Sequence, residues 1–364
     1  MISVMDILDE QPIKYEYIRN SVQVDAKIES KNKIEYGDLV FVRSSEVPEE
    51  VGWAKAYLEE EYALYSGFSI RGKKINEFNP YFVELTLNSI NRKQIERKAG
   101  GSTRFNVSQT ILNSLELLMP KIEEQNKIDK FFKQLDDTIA LHQDKLNKLK
   151  QLKKGFLQVL FANETTIPKI RFANFTEEWE QRKLEKLTDF FSGLTYSPEN
   201  VQNDGTFVLR SSNVKNNAII SADNVYVSNE VANSEQVQVG DVIVVVRNGS
   251  RALIGKHASI KHEMPNTVIG AFMTGLRSPA PKFLNALLDT QQFNLEIQKN
   301  LGATINQITT GEFKKMQFKV PTNEDEKAKI GSFFQQIDNT IAFHQKKISS
   351  IKQLKKTFLQ LMFI

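Results

Sequence analysis

Little in this chain stands at a spacing that performs chemistry. The stretch GSRALIGKH, from Gly249 to His257, approximates a phosphate-binding loop, in which backbone amides cradle phosphates and a following lysine and hydroxyl complete the nucleotide and magnesium site. It falls short twice. Five residues separate Gly249 from Gly255 where such a loop has four, and His257 follows Lys256 where Ser or Thr belongs. The pair His257 and His262 has no third ligand at a convincing spacing. Asp136 and Asp137 are neighbours on one helix and cannot both point into one site. The patterns G-x-G-x-x-G, G-x-S-x-G and H-E-x-x-H do not occur. The residues therefore predict no catalytic site and no metal site, and a nucleotide hydrolase is set aside.

What the chain does offer is hydrogen-bond donors at the ends of apolar runs. DVIVVVRNGSR breaks from a buried-strand pattern into Arg247, Asn248, Ser250 and Arg251. FVLRSSNV repeats the scheme with Arg210, Ser211, Ser212 and Asn213, and DLVFV is followed by Arg43, Ser44 and Ser45. A third kind of loop, led by glycine, holds Ser102, Thr103, Arg104 and Asn106 at one place and Thr304, Asn306 and Gln307 at another. Any one such loop reads plainly as a solvated turn. Recurring at matching places, these side chains are the types that donate to phosphates and to base edges, so they are the candidate DNA-binding residues.

The frame that must position them is globular. The chain has 364 residues, 40% of them apolar, enough for two or three domains with real cores. Its 48 basic residues exceed its 44 acidic ones by 4, which tolerates a nucleic-acid partner without demanding one. Without cysteine there is no disulfide framework and no thiolate metal site. No apolar run approaches the ~20 residues that span a bilayer, and the acidic start MISVMDILDEQ has no signal-peptide pattern. A cytoplasmic protein is the expectation.

Internal repetition organises the whole length. Residues 128–161 and 330–363 match at 20 of 34 positions at an offset of 202. YGDLVFVRSS resembles VGDVIVVVRNGS with Gly37 and Gly240 offset by 203, and the segments from Gly101 to Pro120 and Gly302 to Pro321 correspond at 201. The second copy has a lead-in before this repeat, IPKIRFANFTEEWEQRKLEKLTDFFSG, whose counterpart falls before Met1, so the first copy reads as shortened at its N-terminus. In each long repeat, spacings of four and three place Phe132, Ile139, Leu146 and Phe156, and again Phe334, Ile341, Ile348 and Phe358, on one coiled-coil seam. Acids lie early (Asp136, Asp338) and lysines late (Lys153, Lys355) in both, so antiparallel pairing sets opposite charges together. It predicts Phe132 by Phe358, Phe156 by Phe334, Lys355 near Asp136 and Lys153 near Asp338. Such a pair is a spacer with an approximate twofold axis, and duplex DNA with separated half-sites is the commonest partner of that symmetry. A structural adaptor joining two protein-binding modules is the competing reading.

The lead-in IPKIRFANFTEEWEQRKLEKL, the segment INQITTGEFKKMQFKVP and above all FFQQIDNTIAFHQKKISSIKQLKKTFLQLMF resemble the specificity subunits of type I restriction-modification systems, over essentially the whole chain. The resemblance implies an α/β fold with two target-recognition domains, at 1–121 and 164–321, separated by helical spacers at 122–163 and 322–364 that pair as an antiparallel coiled coil. It implies that each recognition domain reads one half of an interrupted double-stranded DNA target, with the helices setting the gap. It further implies partner subunits: two modification subunits that methylate adenine with S-adenosylmethionine, and restriction subunits that translocate and cleave DNA with ATP and magnesium. No cofactor is expected in this chain.

Overall fold

The structure, a computed structural model, describes every residue except 102, 163, 164, 302–305 and 364. Two compact units form: Met1–Asp144 with Gln345–Ile364, and Lys145–His344. Each unit thus holds part of both long helices, Ile122–Leu160 and Glu324–Leu361. The expected boundaries at 121/122 and 321/322 fall at or just before the helix starts, and the one at 163/164 lies outside the described residues.

The first unit is built on the strand Leu39–Val42, buried at every position and flanked antiparallel by Ala54–Ala56 and Ser69–Gly72. Its run of apolar residues suits a strand covered on both faces. Gly37 enters it at φ +91°, a backbone conformation that side-chain-bearing residues rarely adopt. The buried Asp38 carboxylate then accepts from the Glu35 and Lys74 amides and from Arg71 Nε at 2.7 Å. The helix Pro80–Asn88 starts where the Asn79 side chain accepts from the Phe82 amide and Pro80 supplies a preset φ. It packs Phe82, Val83 and Leu85 against Leu39, Phe41 and Ile70. The opposite face of the central strand, Val40 and Val42, is covered by Ile2, Ile7, Ile13 and Ile34, so the early residues of the first copy build a core of their own.

The second unit repeats the plan. Val242–Val245 lies between His257–Ser259 and Met273–Arg277, and the latter also pairs with Asp189–Ser192 from the lead-in. Gly240 has φ +97°, and the buried Asp241 accepts from the Gln238 amide and from Arg277 Nε at 2.8 Å. A second sheet, in order Val201–Gln202, Val225–Val227, Thr206–Leu209, Thr267–Ile269, has its last pair parallel. The helix Pro281–Leu288 buries Phe283, Leu284 and Leu287.

Within each unit the two long helices run antiparallel. In the first, Lys355 Nζ lies 2.5 Å from Asp136 Oδ1 and the Phe131 and Phe358 rings meet at 5.0 Å. In the second, Lys153 Nζ lies 2.5 Å from Asp338 Oδ1 and Phe156 meets Phe333 at 5.0 Å. Both ion pairs expected from the charge pattern are present. The ring pairs are shifted by one position. Phe132 and Phe334 turn instead toward Phe363 and Phe161, at 6.1 and 5.9 Å, because each is fully buried in the globular core beside its helix. Ile139, Leu146 and Ile348 are buried and Ile341 half-buried, as seam positions should be.

A consequence of this arrangement is an exchange of helix ends between the copies. Phe161, which ends the first copy's helix, stacks on Phe283 of the second unit at 5.7 Å; its repeat partner Phe363 stacks on Phe82 of the first unit at 5.3 Å. Each globular core is closed by an aromatic ring from the other copy.

Candidate nucleic-acid interface

The polar loops singled out from the sequence come together in the same way in both units. In the first, Ser44–Ser45 pairs antiparallel with Phe105–Asn106, Ser44 opposite Asn106, and the Val107 amide donates to the Arg43 carbonyl at 2.9 Å. In the second, Arg247 pairs antiparallel with Gln307, and the Ile308 amide donates to the Val246 carbonyl at 2.9 Å. Arg247 is the repeat counterpart of Ser44, and Gln307 that of Asn106. The strand after the Gly-Asp turn and the glycine-led loop therefore cross once per copy, and their side chains share one edge. The framework is common while the side chains at the crossing differ.

In the first unit Arg43, Thr103, Arg104 and Asn106 are exposed, and Arg104 Nε donates to Ser44 Oγ at 3.1 Å. Ser45 Oγ donates to Glu50 at 2.5 Å, which holds it to its own loop. In the second unit Asn248 links the crossing to a third loop, its Nδ2 donating to Ser211 Oγ at 2.9 Å, while its amide donates to the Asn306 carbonyl at 3.2 Å. Asn306 Nδ2 in turn donates to the Gly249 carbonyl at 2.9 Å. Ser212, Ser250 and Arg251 are exposed beside this cluster. Ser102 and Thr304 lie outside the described residues.

Asn213 takes a different place from its neighbours. It is 0% exposed, its Oδ1 accepting from the Arg210 amide and its Nδ2 donating to the Ala222 carbonyl at 2.8 Å. Its polar atoms are spent on the loop itself, and in this conformation it offers none to a ligand. Arg210 is partly engaged too, its Nη2 lying 2.7 Å from Asp223 Oδ2.

Aromatic residues that the sequence reading passed over complete the site. The Arg247 guanidinium lies 4.9 Å from the centre of the Phe272 ring, and Phe272 is 49% exposed. Its counterpart Phe68 is 60% exposed; the Phe68 and Phe272 carbonyls accept from the Arg43 and Val246 amides at 2.9 and 3.0 Å. The signal available in the sequence was a phenylalanine one or two positions after a glycine in both copies. Phe272, Tyr196, Arg210, Ser211 and Asn248 line a concavity of about 720 Å³. A flat ring beside donors and a guanidinium suits the stacking and edge-on hydrogen bonding that bases accept.

Among the described residues no group of three or more His, Asp and Glu could hold a metal ion. No helix is long and apolar enough to cross a membrane. His257, from the imperfect phosphate-loop motif, is instead buried beside Asp289, with Nε2 3.4 Å from Oδ1. Asp289 also receives Lys153 Nζ at 2.6 Å. Burial alone raises a carboxyl's pKa, but His257 and Lys153 outweigh it and hold Asp289 below the usual carboxylate range.

Two α/β units stand in one chain, each presenting a crossed pair of polar loops and each closed by an aromatic ring from the helix repeat of the other copy. The sequence matches the family described as the type I restriction modification DNA specificity domain over residues 6–151 and 176–353, and the chain belongs to that family. It is 24% identical over 270 residues to the type I restriction enzyme MjaVIII specificity subunit of Methanocaldococcus jannaschii, covering 70% of this chain and 63% of that protein. The putative MjaX specificity subunit of the same organism is 22% identical over 96% of this chain and 82% of its own length. With the EcoKI specificity subunit of Escherichia coli the match, 26% identical, spans 50% of this chain and 41% of the relative. The chain thus spans between about two fifths and four fifths of these relatives. In fold it is similar to the S subunit of a type I restriction-modification system from M. genitalium, with a TM-score of 0.65, 14% identity, and coverage of 92% of this chain and 85% of that one.

Proposed function

We propose that this chain is the DNA-specificity subunit of a type I restriction-modification complex, reading one half of an interrupted target with each unit and catalysing nothing itself. The crossed loops supply the donors: Arg43, Ser44, Arg104 and Asn106 in one unit, Arg247, Asn248, Arg251, Asn306 and Gln307 in the other. Two modification subunits bring adenine methylation with S-adenosylmethionine, and restriction subunits bring ATP- and magnesium-dependent translocation and cleavage. The observation that carries this reading is the repeated crossing, Ser44 with Asn106 and Arg247 with Gln307, inside a family match that covers both copies. A shared framework with different residues at one place is what two readers of different sequences require.

Mapping methylated adenines in a host that carries the complete system tests it. The expected result is one bipartite motif, both halves lost when this chain is deleted. DNA binding by the assembled complex should also fall steeply with salt, as phosphate contacts release counterions. Methylation that persists at the same motif without this chain, or binding indifferent to both DNA sequence and salt, overturns the proposal.

A further inference from the structure

The concavity beside the crossing in the second unit rests on backbone laid against backbone. The Leu194 amide donates to the Ile269 carbonyl at 2.7 Å and the Ala271 amide to the Leu194 carbonyl at 2.9 Å, while a Cβ on Gly193 would overlap the Gly270 carbonyl oxygen. Only glycine at 193 permits this approach. Two aromatic rings line the space, and each is held in place. Tyr196 is half-buried against the small core of Leu194, Val208, Val227 and Val268, and Phe272 carries the Arg247 guanidinium 4.9 Å from its ring centre.

The polar wall is fixed as well. Asn213 accepts from the Arg210 amide, Asn248 donates to Ser211 Oγ, and Arg210 Nη2 donates to the Asp223 carbonyl at 2.9 Å and to its Oδ2 at 2.7 Å. Arg210 Nε, by contrast, is sealed from solvent and meets no hydrogen-bond partner among the described residues. A buried donor without an acceptor is costly to keep, and a ligand that brings an acceptor recovers that cost. At about 720 Å³ the concavity lies within the range of roughly 300–1,000 Å³ typical of sites that enclose a small molecule. Aromatic rings, a guanidinium with an unmet donor, a carboxylate and an amide thus share one preformed space.

We propose that this cavity receives one nucleobase taken out of the DNA duplex, an inference that rests on the reading of the chain as a DNA-specificity subunit. A paired base shows a protein only its edges, because its neighbours in the stack cover both faces. Rings that line a cavity offer faces, and only an unstacked base can meet them. The base stacks on the half-exposed Phe272 ring. An acceptor on its edge takes the Arg210 Nε hydrogen, and the Asp223 carboxylate on the same wall accepts from a ring or exocyclic N–H. Selectivity at that position then comes from these contacts together with the ease of opening the pair.

Binding of the assembled complex to duplexes that carry the methylated motif tests this, with each base of the two half-targets replaced in turn by an abasic residue. Breaking the pair opposes extrusion, so removing the partner of the extruded base should tighten binding about tenfold, at one base pair distinct from the methylated one. Ser212→Trp, which sets an indole in the cavity, and Phe272→Ala, which takes away the stacking ring, should each abolish that gain and leave any gain opposite the methylated adenine. Ser212 is exposed and Phe272 half-exposed, so an unchanged melting temperature checks that the fold is kept. No such gain in a parent complex that binds its motif specifically overturns the proposal and leaves the underlying reading standing, whereas a parent complex without specific binding overturns both. A gain that survives both variants puts the extruded base elsewhere and overturns the proposal. Saturable binding of a free nucleoside monophosphate to the full chain, blocked by Ser212→Trp and unaccompanied by a gain on abasic duplexes, makes the cavity an effector site and overturns it too.

Discussion

At the scale of single residues, exposure separates the candidates that can read DNA from those that hold loops in shape. Arg247 and Arg251 are exposed, whereas Asn213 is spent on its own loop. In the assembled complex, Arg247→Ala or Arg251→Ala should weaken DNA binding by about 1–3 kcal/mol for a base contact, or lower the salt slope by about one for a phosphate contact. Unchanged affinity and slope for both remove this loop from the interface. Phe272→Ala should weaken binding as well and leave the melting temperature nearly unchanged, because half of that ring already faces solvent. Asp289 behaves oppositely. Its folded pKa lies below the unfolded value of about 4, so its contribution to stability is present above that pH and is lost as the pH falls through the lower, folded value. Asp289→Asn should destabilise the second unit by about 1–3 kcal/mol at neutral pH, since Lys153 loses one of its two half-buried partners. It should also flatten the stability profile below about pH 4. An acid limb identical to the parent's contradicts this account.

At the scale of elements, the long helices are parts of both cores. Phe161 is nearly fully buried among Phe283, Phe334 and Trp179. Truncating such a ring costs about 3–5 kcal/mol through lost transfer energy and the cavity left behind. Phe161→Ala should therefore lower the stability of the second unit by that order, though the residue belongs to the first copy's helix repeat. Limited proteolysis followed by mass spectrometry reads this: cleavage sites should open within 165–344. Cleavage that opens mainly within the first unit would show that the exchange of helix ends is not what closes these cores. The one-position shift of ring pairs has the same cause. In each Phe-Phe doublet one ring is claimed by the globular core, so the other meets the neighbouring helix.

At the scale of the whole molecule, the repeat predicts a dependence of the DNA target on helix length. Four residues inserted after Lys148 add about 6 Å and about 1.1 turns to the first helix, which keeps its seam roughly in phase. With base pairs about 3.4 Å apart, the unspecified gap in the methylated motif should lengthen by one or two pairs while both half-targets stay the same. Methylation-site sequencing decides it, and an altered half-target with an unaltered gap refutes the helices as the spacer.

Periodicity and repetition were enough to determine the long helices, their antiparallel sense and the two ion pairs Asp136–Lys355 and Asp338–Lys153. A heptad seam and a charge gradient are local patterns that survive in one dimension. The Gly-Asp turns and the strands after them were legible for a similar reason: a positive φ calls for glycine, and a strand buried on both faces reads as an unbroken apolar run. The candidate loops could be named, but not what each side chain does. Asn213 and Ser212 are adjacent and both polar, yet one is buried and the other exposed, because only the path of the distant residues 220–224 decides which finds a partner. Tertiary structure alone set Phe272 beside Arg247, crossed Ser44 with Asn106 and Arg247 with Gln307, and carried the ring ending each helix into the core of the other copy. These are contacts between residues about 25 to 280 positions apart, and no pattern within a short window encodes which of many chemically similar partners the folded chain brings together.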